Sequence, residues 1–215
     1  MSDTESPQRT LPQVVAATAA ALPGHIAMID GDVTLTYAEL DAARIEAARA
    51  FLAAGLKQGE RIAIWAPNIW QWVVAAIGAQ SIGGVLVPLN TRLKGAEAGF
   101  ILRRSGARWL FTVGEFLGMR YPQLLQGEEL PALEEIVLLE GQAPGTRSWA
   151  DFLSAGADAS AAEVQARADR LTPADTLDIL FTSGTTGQPK GVVTSHGQNI
   201  RAFETWSATV GLTEQ

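Results

Sequence analysis

The sequence contains no cysteine. That absence excludes disulfides, a thiolate metal site and a cysteine nucleophile, and it fits a reducing cytoplasm, the compartment expected for this chain. Basic residues are also outnumbered: 16 Lys and Arg stand against 23 Asp and Glu, for a net charge of −7. No basic field surrounds such a molecule, which argues against general nucleic-acid binding. Any anionic ligand has to be gripped by local donors, such as Lys190 and nearby backbone amides. Long hydrophobic runs are missing as well, so no membrane span is expected. The stretch Val14–Leu22 is apolar but short, and an acidic segment precedes it rather than a basic one. It reads as an alanine-rich first helix stopped by Pro23-Gly24. Histidine is scarce, with two residues. His25, beside Gly24, reads as a surface loop residue, and His196 with Asn199 as positional groups rather than proton carriers.

What is present describes a soluble folded protein. Of the 215 residues 47% are apolar and 18% charged, enough for one large or two small domains with a core. Residues 1–10 are polar and expected to be frayed. The Asp30-Gly31-Asp32 turn between short apolar runs predicts a β-hairpin. Thr36-Tyr37-Ala38-Glu39 is a capping box, and it opens a helix with Leu40, Ala47, Ala48, Phe51 and Leu52 on one face, ended by Gly55. From Arg61 onward strands and helices alternate. Strands are expected at Arg61–Trp65, Val85–Leu89, Trp109–Val113, Glu135–Leu139, Asp178–Phe181 and Gly191–Ser195. Between them, Asn68 with Gln71 is expected to cap one helix. Another starts near Gly95 and ends with Arg103 and Arg104. Ser148 and Asp151 cap a short helix, and Thr172–Asp175 forms a turn. The last helix carries Ile200, Phe203, Trp206 and Val210. Residues 141–167, rich in Gly, Ala and Ser, read as a long surface connection. Val-, Ile- and Leu-rich strands between amphipathic helices imply an α/β fold, a layered and mostly parallel sheet flanked by helices.

The chemistry is concentrated in one loop. The run Ile179-Leu180-Phe181 leads into Thr182-Ser183-Gly184-Thr185-Thr186-Gly187-Gln188-Pro189-Lys190-Gly191. Glycines let amide N–H groups close on an anion, hydroxyls add neutral donors, and the lysine adds a mobile positive charge. This is a polyphosphate-binding composition at the carboxyl end of a strand, where α/β sheets place ligands. It differs from the GxxxxGK[ST] loop, because Gln188-Pro189 separates Gly187 from Lys190. A plain Gly/Ser/Thr linker has a similar composition, but no reason to follow a buried strand or to fix a proline and a lysine at its end. Trp65, Trp70 and Trp72 read as core packing rather than as an aromatic platform. Arg92 and Lys94 read as solvated charges.

Residues 181–197, FTSGTTGQPKGVVTSHG, resemble the phosphate-loop signature of the AMP-forming acyl-CoA synthetase, luciferase and adenylation-domain superfamily. Leu35–Leu40 is similar to the family's first signature, and Gly83–Arg92 to a segment between the two. The resemblance covers residues 11–211. It implies that Thr182, Ser183, Gly184, Thr185, Thr186, Gly187 and Lys190 cradle the β- and γ-phosphates of ATP-Mg, with Lys190 neutralising charge; the metal ligands stay unassigned. By that resemblance a carboxylic acid, fatty or steroid-derived, attacks the α-phosphate, and coenzyme A captures the acyl-adenylate. The texture of Ile64–Asn68 and Val87–Arg92 is most similar to bacterial acyl-CoA synthetases, among them actinobacterial steroid-degrading ligases. Two other readings stay open: adenylation with an acceptor other than coenzyme A, and a nucleotide- or partner-binding module without catalysis.

The resemblance also implies an incomplete chain. Residues 11–215 would be part of an N-terminal AMP-binding domain, with 61–200 its main α/β subdomain. The adenine-stacking stretch, the ribose-binding aspartate, the C-terminal domain and its catalytic lysine would be missing, leaving the isolated chain inactive. The first ~60 residues would then lose much of their partner surface.

Overall fold

The computed structural model describes residues 9–182 and 188–212. The frayed stretch expected at residues 1–10 falls outside the description as far as residue 8. Thr10 is fully buried at the start of the first helix, α1 (Leu11–Ala21). The predicted hairpin follows as β1 (Ile26–Asp30) and β2 (Val33–Thr36), antiparallel, with Gly31 at φ +55° in the turn. Helix α2 (Tyr37–Ala53) begins on the expected box. The Thr36 hydroxyl accepts the Glu39 N–H, and the Glu39 carboxylate accepts the Thr36 N–H at 2.8 Å.

The remaining elements are β3 (Arg61–Trp65), α3 (Trp70–Ser81), β4 (Val85–Pro88), α4 (Gly95–Ser105), β5 (Trp109–Val113), α5 (Tyr121–Leu124), β6 (Glu135–Glu140), β7 (Arg147–Ser148), α6 (Trp149–Ser154), α7 (Ala161–Arg170), β8 (Thr176–Thr182), β9 (Lys190–Ser195) and α8 (His196–Val210). The main sheet runs β7-β6-β5-β3-β4-β8-β9, and only the β8–β9 pair is antiparallel. This is the expected layered, mostly parallel α/β sheet. The chain moves one way from β3 to β4 and the other way from β4 to β5. With right-handed crossovers, α3 and α4 then cover opposite faces.

Helices α2 and α3 approach closely because their contact is built from small residues. A Cβ added at Gly78 would lie 2.6 Å from the Ala47 Cβ. Although aromatics are few, four of them meet at one point. Phe51 of α2, Phe111 of β5 and Phe152 of α6 have ring centroids 5.0–5.2 Å apart, and Trp149 stacks on Phe152. Edge-to-face contacts of this kind add to the area they bury.

Three expectations need correction. Residues 141–167 are not a surface connection. They contain β7, α6 and the start of α7, and they put Trp149, Phe152 and Val164 into the core. The expected loss of partner surface in the first 60 residues is partial: Ala47, Ala48 and Phe51 of α2 are fully buried against the sheet layer, whereas Ile26 and Ile29 of the hairpin are exposed. Helix α3 is not capped by Asn68 and Gln71. Its first N–H, on Trp70, is taken at 2.9 Å by the Asp30 carboxylate from β1, so a residue 40 positions upstream supplies the cap.

Candidate functional site

Strand β8 enters the site as a central strand and leaves it as half of a two-stranded arm. At its start Leu177 and Asp178 are buried, and Leu86↔Asp178 pairs it with β4. Strand β4 ends at Pro88, which has no N–H to extend a ladder. Beyond that point β8 is paired with β9, through Ile179↔Val193, Leu180↔Val192, Phe181↔Gly191 and Thr182↔Lys190. The exposure of Leu180, Val192 and Val193 fits an arm reaching past the sheet. Gly191 is required where it sits, because a Cβ there would lie 2.9 Å from Ile179 and 3.3 Å from the Phe181 ring.

Thr182 and Lys190 form the last cross-strand pair of the arm, and both are exposed. They hold the two ends of the glycine-rich loop in register. Of the sequence-predicted phosphate-binding residues, these two are therefore brought together. Ser183, Gly184, Thr185, Thr186 and Gly187 lie outside the described residues. Side chains alternate along a strand, so Asp178, Leu180 and Thr182 share a face with Thr194, Val192 and Lys190.

The same face carries a polar cluster of which sequence reasoning singled out Asn199 alone, as a positional group. The Asp178 carboxylate accepts the Thr194 hydroxyl, and Asn199, in the first turns of α8, donates to Thr194 Oγ1 at 2.6 Å and to Asp178 Oδ2 at 3.4 Å. Burial pushes the Asp178 carboxyl above the ordinary carboxylate range, although the hydrogen bonds from Thr194 and Asn199 pull the other way. A lone acid inside the apolar run Leu177–Phe181 was the available signal, since a buried charge needs partners.

His196 holds position, as expected, but separately from Asn199. It is 1% exposed, and its Nδ1 accepts the Leu11 N–H at 3.1 Å, fixing the start of α1 to the start of α8. Burial pushes its pKa down to about 4, with Asp175 drawing it upward. His25 is an exposed loop residue, and Arg92 and Lys94 are exposed. Trp65 is fully buried, with its indole N–H on the Asn90 carbonyl at 3.0 Å, which supports core packing. Trp70 and Trp72 pack against the same core. A cleft of about 350 Å³ opens beside the arm, between Asn68, Trp72, Leu89 and Asn90 on one side and Leu180 and Phe181 on the other. Among the described residues no group of three His, Cys, Asp or Glu could hold a metal, and no helix is long and apolar enough to cross a membrane.

The chain as a whole is similar to known proteins over nearly all of its length. A (7a-methyl-1,5-dioxo-octahydro-inden-4-yl)propanoyl:CoA ligase from Mycobacterium tuberculosis is 43% identical over 206 residues, covering 95% of this chain and 40% of the relative. A ligase of the same name from Rhodococcus jostii is 36% identical, covering 98% of this chain and 42% of its own length. Among solved structures, an anthranilate CoA ligase in complex with anthranoyl-AMP shares the fold with a TM-score of 0.80 at 24% identity, over 96% of this chain and 39% of that one. A putative long-chain-fatty-acid CoA ligase from Rhodopseudomonas palustris gives 0.82 at 23%, over 97% and 50%. The chain thus spans about two fifths of the length of the curated relatives it matches. Residues 15–214 match the family described as AMP-binding enzyme, and the chain belongs to it.

Proposed function

We propose that this chain supplies the ATP-phosphate grip of an AMP-forming acyl-CoA ligase. The observation that carries the reading is the Thr182↔Lys190 pair, which closes the Ser183–Pro189 loop at the tip of the arm. In the proposed reaction a carboxylate oxygen attacks the α-phosphorus of ATP, the bond to the bridging oxygen breaks, and pyrophosphate leaves. The thiol of coenzyme A then displaces AMP from the acyl-adenylate. Such displacements depend on positioning and charge neutralisation. Lys190 neutralises charge that gathers on the departing phosphates, and Thr182 with Ser183, Gly184, Thr185, Thr186 and Gly187 donates hydrogen bonds. Magnesium fits as an ion carried in by the phosphates, since the described residues offer no three-ligand cage of their own.

For the acid, the reading favours a bulky fused-ring propanoate over a plain fatty chain. The support is the 43% and 36% identity to two ligases named for a methyl-dioxo-octahydroindenyl propanoate, the two-ring skeleton of a degraded steroid. Titration calorimetry with ATP and magnesium tests the grip. Wild-type chain is expected to bind, and Lys190→Ala to bind at least ~10-fold more weakly, the equivalent of one lost charge-assisted hydrogen bond. Equal affinities of the two proteins would refute the assignment of Lys190.

A further inference from the structure

The phosphate loop hangs from an arm with a narrow base. Among the described residues β8 pairs with β4 at one position, Leu86↔Asp178, and the four residues that follow pair with β9. Four residues at the rise of an antiparallel strand make an arm of roughly 13 Å. A rotation of 5° at the base would move its tip by about 1 Å. Ile179 and Phe181 pack one face of the arm against the core, whereas the face with Leu180, Val192, Thr182 and Lys190 is exposed. Side-chain packing therefore holds the ribbon on one face only.

Asp178 sits at that base and binds in three directions. Its backbone pairs with β4, its carboxylate accepts the Thr194 hydroxyl of β9, and it accepts the Asn199 amide of α8. Asn199 in turn donates to Thr194 Oγ1 at 2.6 Å, which closes a triangle across β8, β9 and α8. The register also shifts between Thr176 and Asp178, so the ladder is irregular where the triangle lies. A buried carboxyl in an apolar strand is costly unless paired, and a hydrophobic residue there would serve packing better.

We propose that Asp178, Thr194 and Asn199 are positioning residues that set the angle of the β8–β9 arm and thereby aim Thr182 and Lys190 at the nucleotide phosphates. The inference rests on the ATP-grip reading above. Misplacement by about 1 Å is enough to forfeit much of a contact's worth.

Thr194→Val keeps the shape of the side chain and removes its hydroxyl, while Thr194→Ser keeps the hydroxyl. The experiment measures ATP-Mg affinity by calorimetry and thermal unfolding for the full chain, for both Thr194 variants and for Asn199→Ala. Expected is a loss of about tenfold in ATP affinity for Thr194→Val and Asn199→Ala, with Thr194→Ser within about twofold of wild type. The loss should persist at temperatures where each variant is fully folded. Wild-type affinity in folded Thr194→Val and Asn199→Ala overturns the proposal, while leaving the grip reading intact. Loss of affinity in Thr194→Ser equal to that in Thr194→Val also overturns it, because the hydroxyl would then not matter. Absence of ATP binding in the wild-type chain overturns both. If Asn199→Ala does not fold, the Val–Ser comparison at Thr194 decides alone.

Discussion

Acid should loosen this protein through one ring. His196 is 1% exposed, and its Nδ1 accepts the Leu11 N–H, so a proton on Nδ1 would set one N–H against another. Burial lowers its pKa from an ordinary 6.5 to about 4, with the Asp175 carboxylate opposing the shift. Between those values the unfolded chain carries a proton on this ring that the folded chain refuses. Stability therefore falls with pH across the window from 6.5 to about 4, and the contribution is complete above 6.5. Going from pH 7 to pH 5, the two-state expression gives a loss of about 2 kcal/mol. For a chain of this size that is roughly 4–8 °C in Tm.

The assay is denaturant unfolding at pH 5, 6 and 7 for wild type and His196→Gln. His25 and the carboxylates are common to both proteins and cancel in the difference. Glutamine can accept the Leu11 N–H without titrating, so its stability should be flatter with pH by that amount. Parallel pH profiles would refute the argument. So would a His196 resonance that shows the neutral ring with its proton on Nδ1, since the hydrogen bond from Leu11 requires it on Nε2.

Further outcomes follow from single contacts. Phe152→Ala empties the meeting point of α2, β5 and α6 and should cost about 3–5 kcal/mol in urea unfolding. Gly156→Ala would place a Cβ 2.4 Å from the Ala50 backbone nitrogen, and should cost about 1–3 kcal/mol, because helix backbone rather than a side chain must move. Asp30→Ala removes the cap of α3 and should cost about 1 kcal/mol, with Asp30→Asn recovering most of it in the same melt.

The sequence was easiest to read where one local rule acted alone. Arg61–Trp65 and Trp109–Val113 have the predicted bounds because each is a mainly apolar run that becomes an inner strand paired on both sides. The capping box at Thr36 is likewise a four-residue affair. Helix α7 was missed because its apolar face toward the core consists of Val164 and Ala168, too sparse to show a period in an Ala-rich stretch. The cap of α3 and the partner of His196 were invisible for a different reason. Asp30 meets Trp70 from 40 residues away and His196 meets Leu11 from 185. Contacts of that kind exist only once the layers have packed. At the candidate site the loop signature gave Thr182 and Lys190. The Asp178–Thr194–Asn199 triangle depends on a cross-strand register that no local pattern encodes.

The sheet order also bears on why the proposed phosphate grip lies on an arm rather than in the usual crevice. Chain direction reverses at β3, with β4 on one side and β5 on the other, and doubly wound sheets ordinarily bind ligands at such a point. Here the chain satisfies that point with its own groups. The Asp30 carboxylate occupies the first N–H of α3, the Thr112 hydroxyl donates to the Trp65 carbonyl at 2.6 Å, and Gln71 donates to Glu140 at 3.2 Å. An anion arriving there would have to displace a carboxylate already held by a helix N-terminus. Thr182 and Lys190 are carried outward at the carboxyl end of the sheet by β8 and β9, two and three strands away from the reversal. A phosphate grip set on a projecting arm can approach its ligand from outside the sheet. In the proposed reading that placement makes the rigidity of the arm's base, rather than the depth of a cleft, the quantity on which phosphate binding depends.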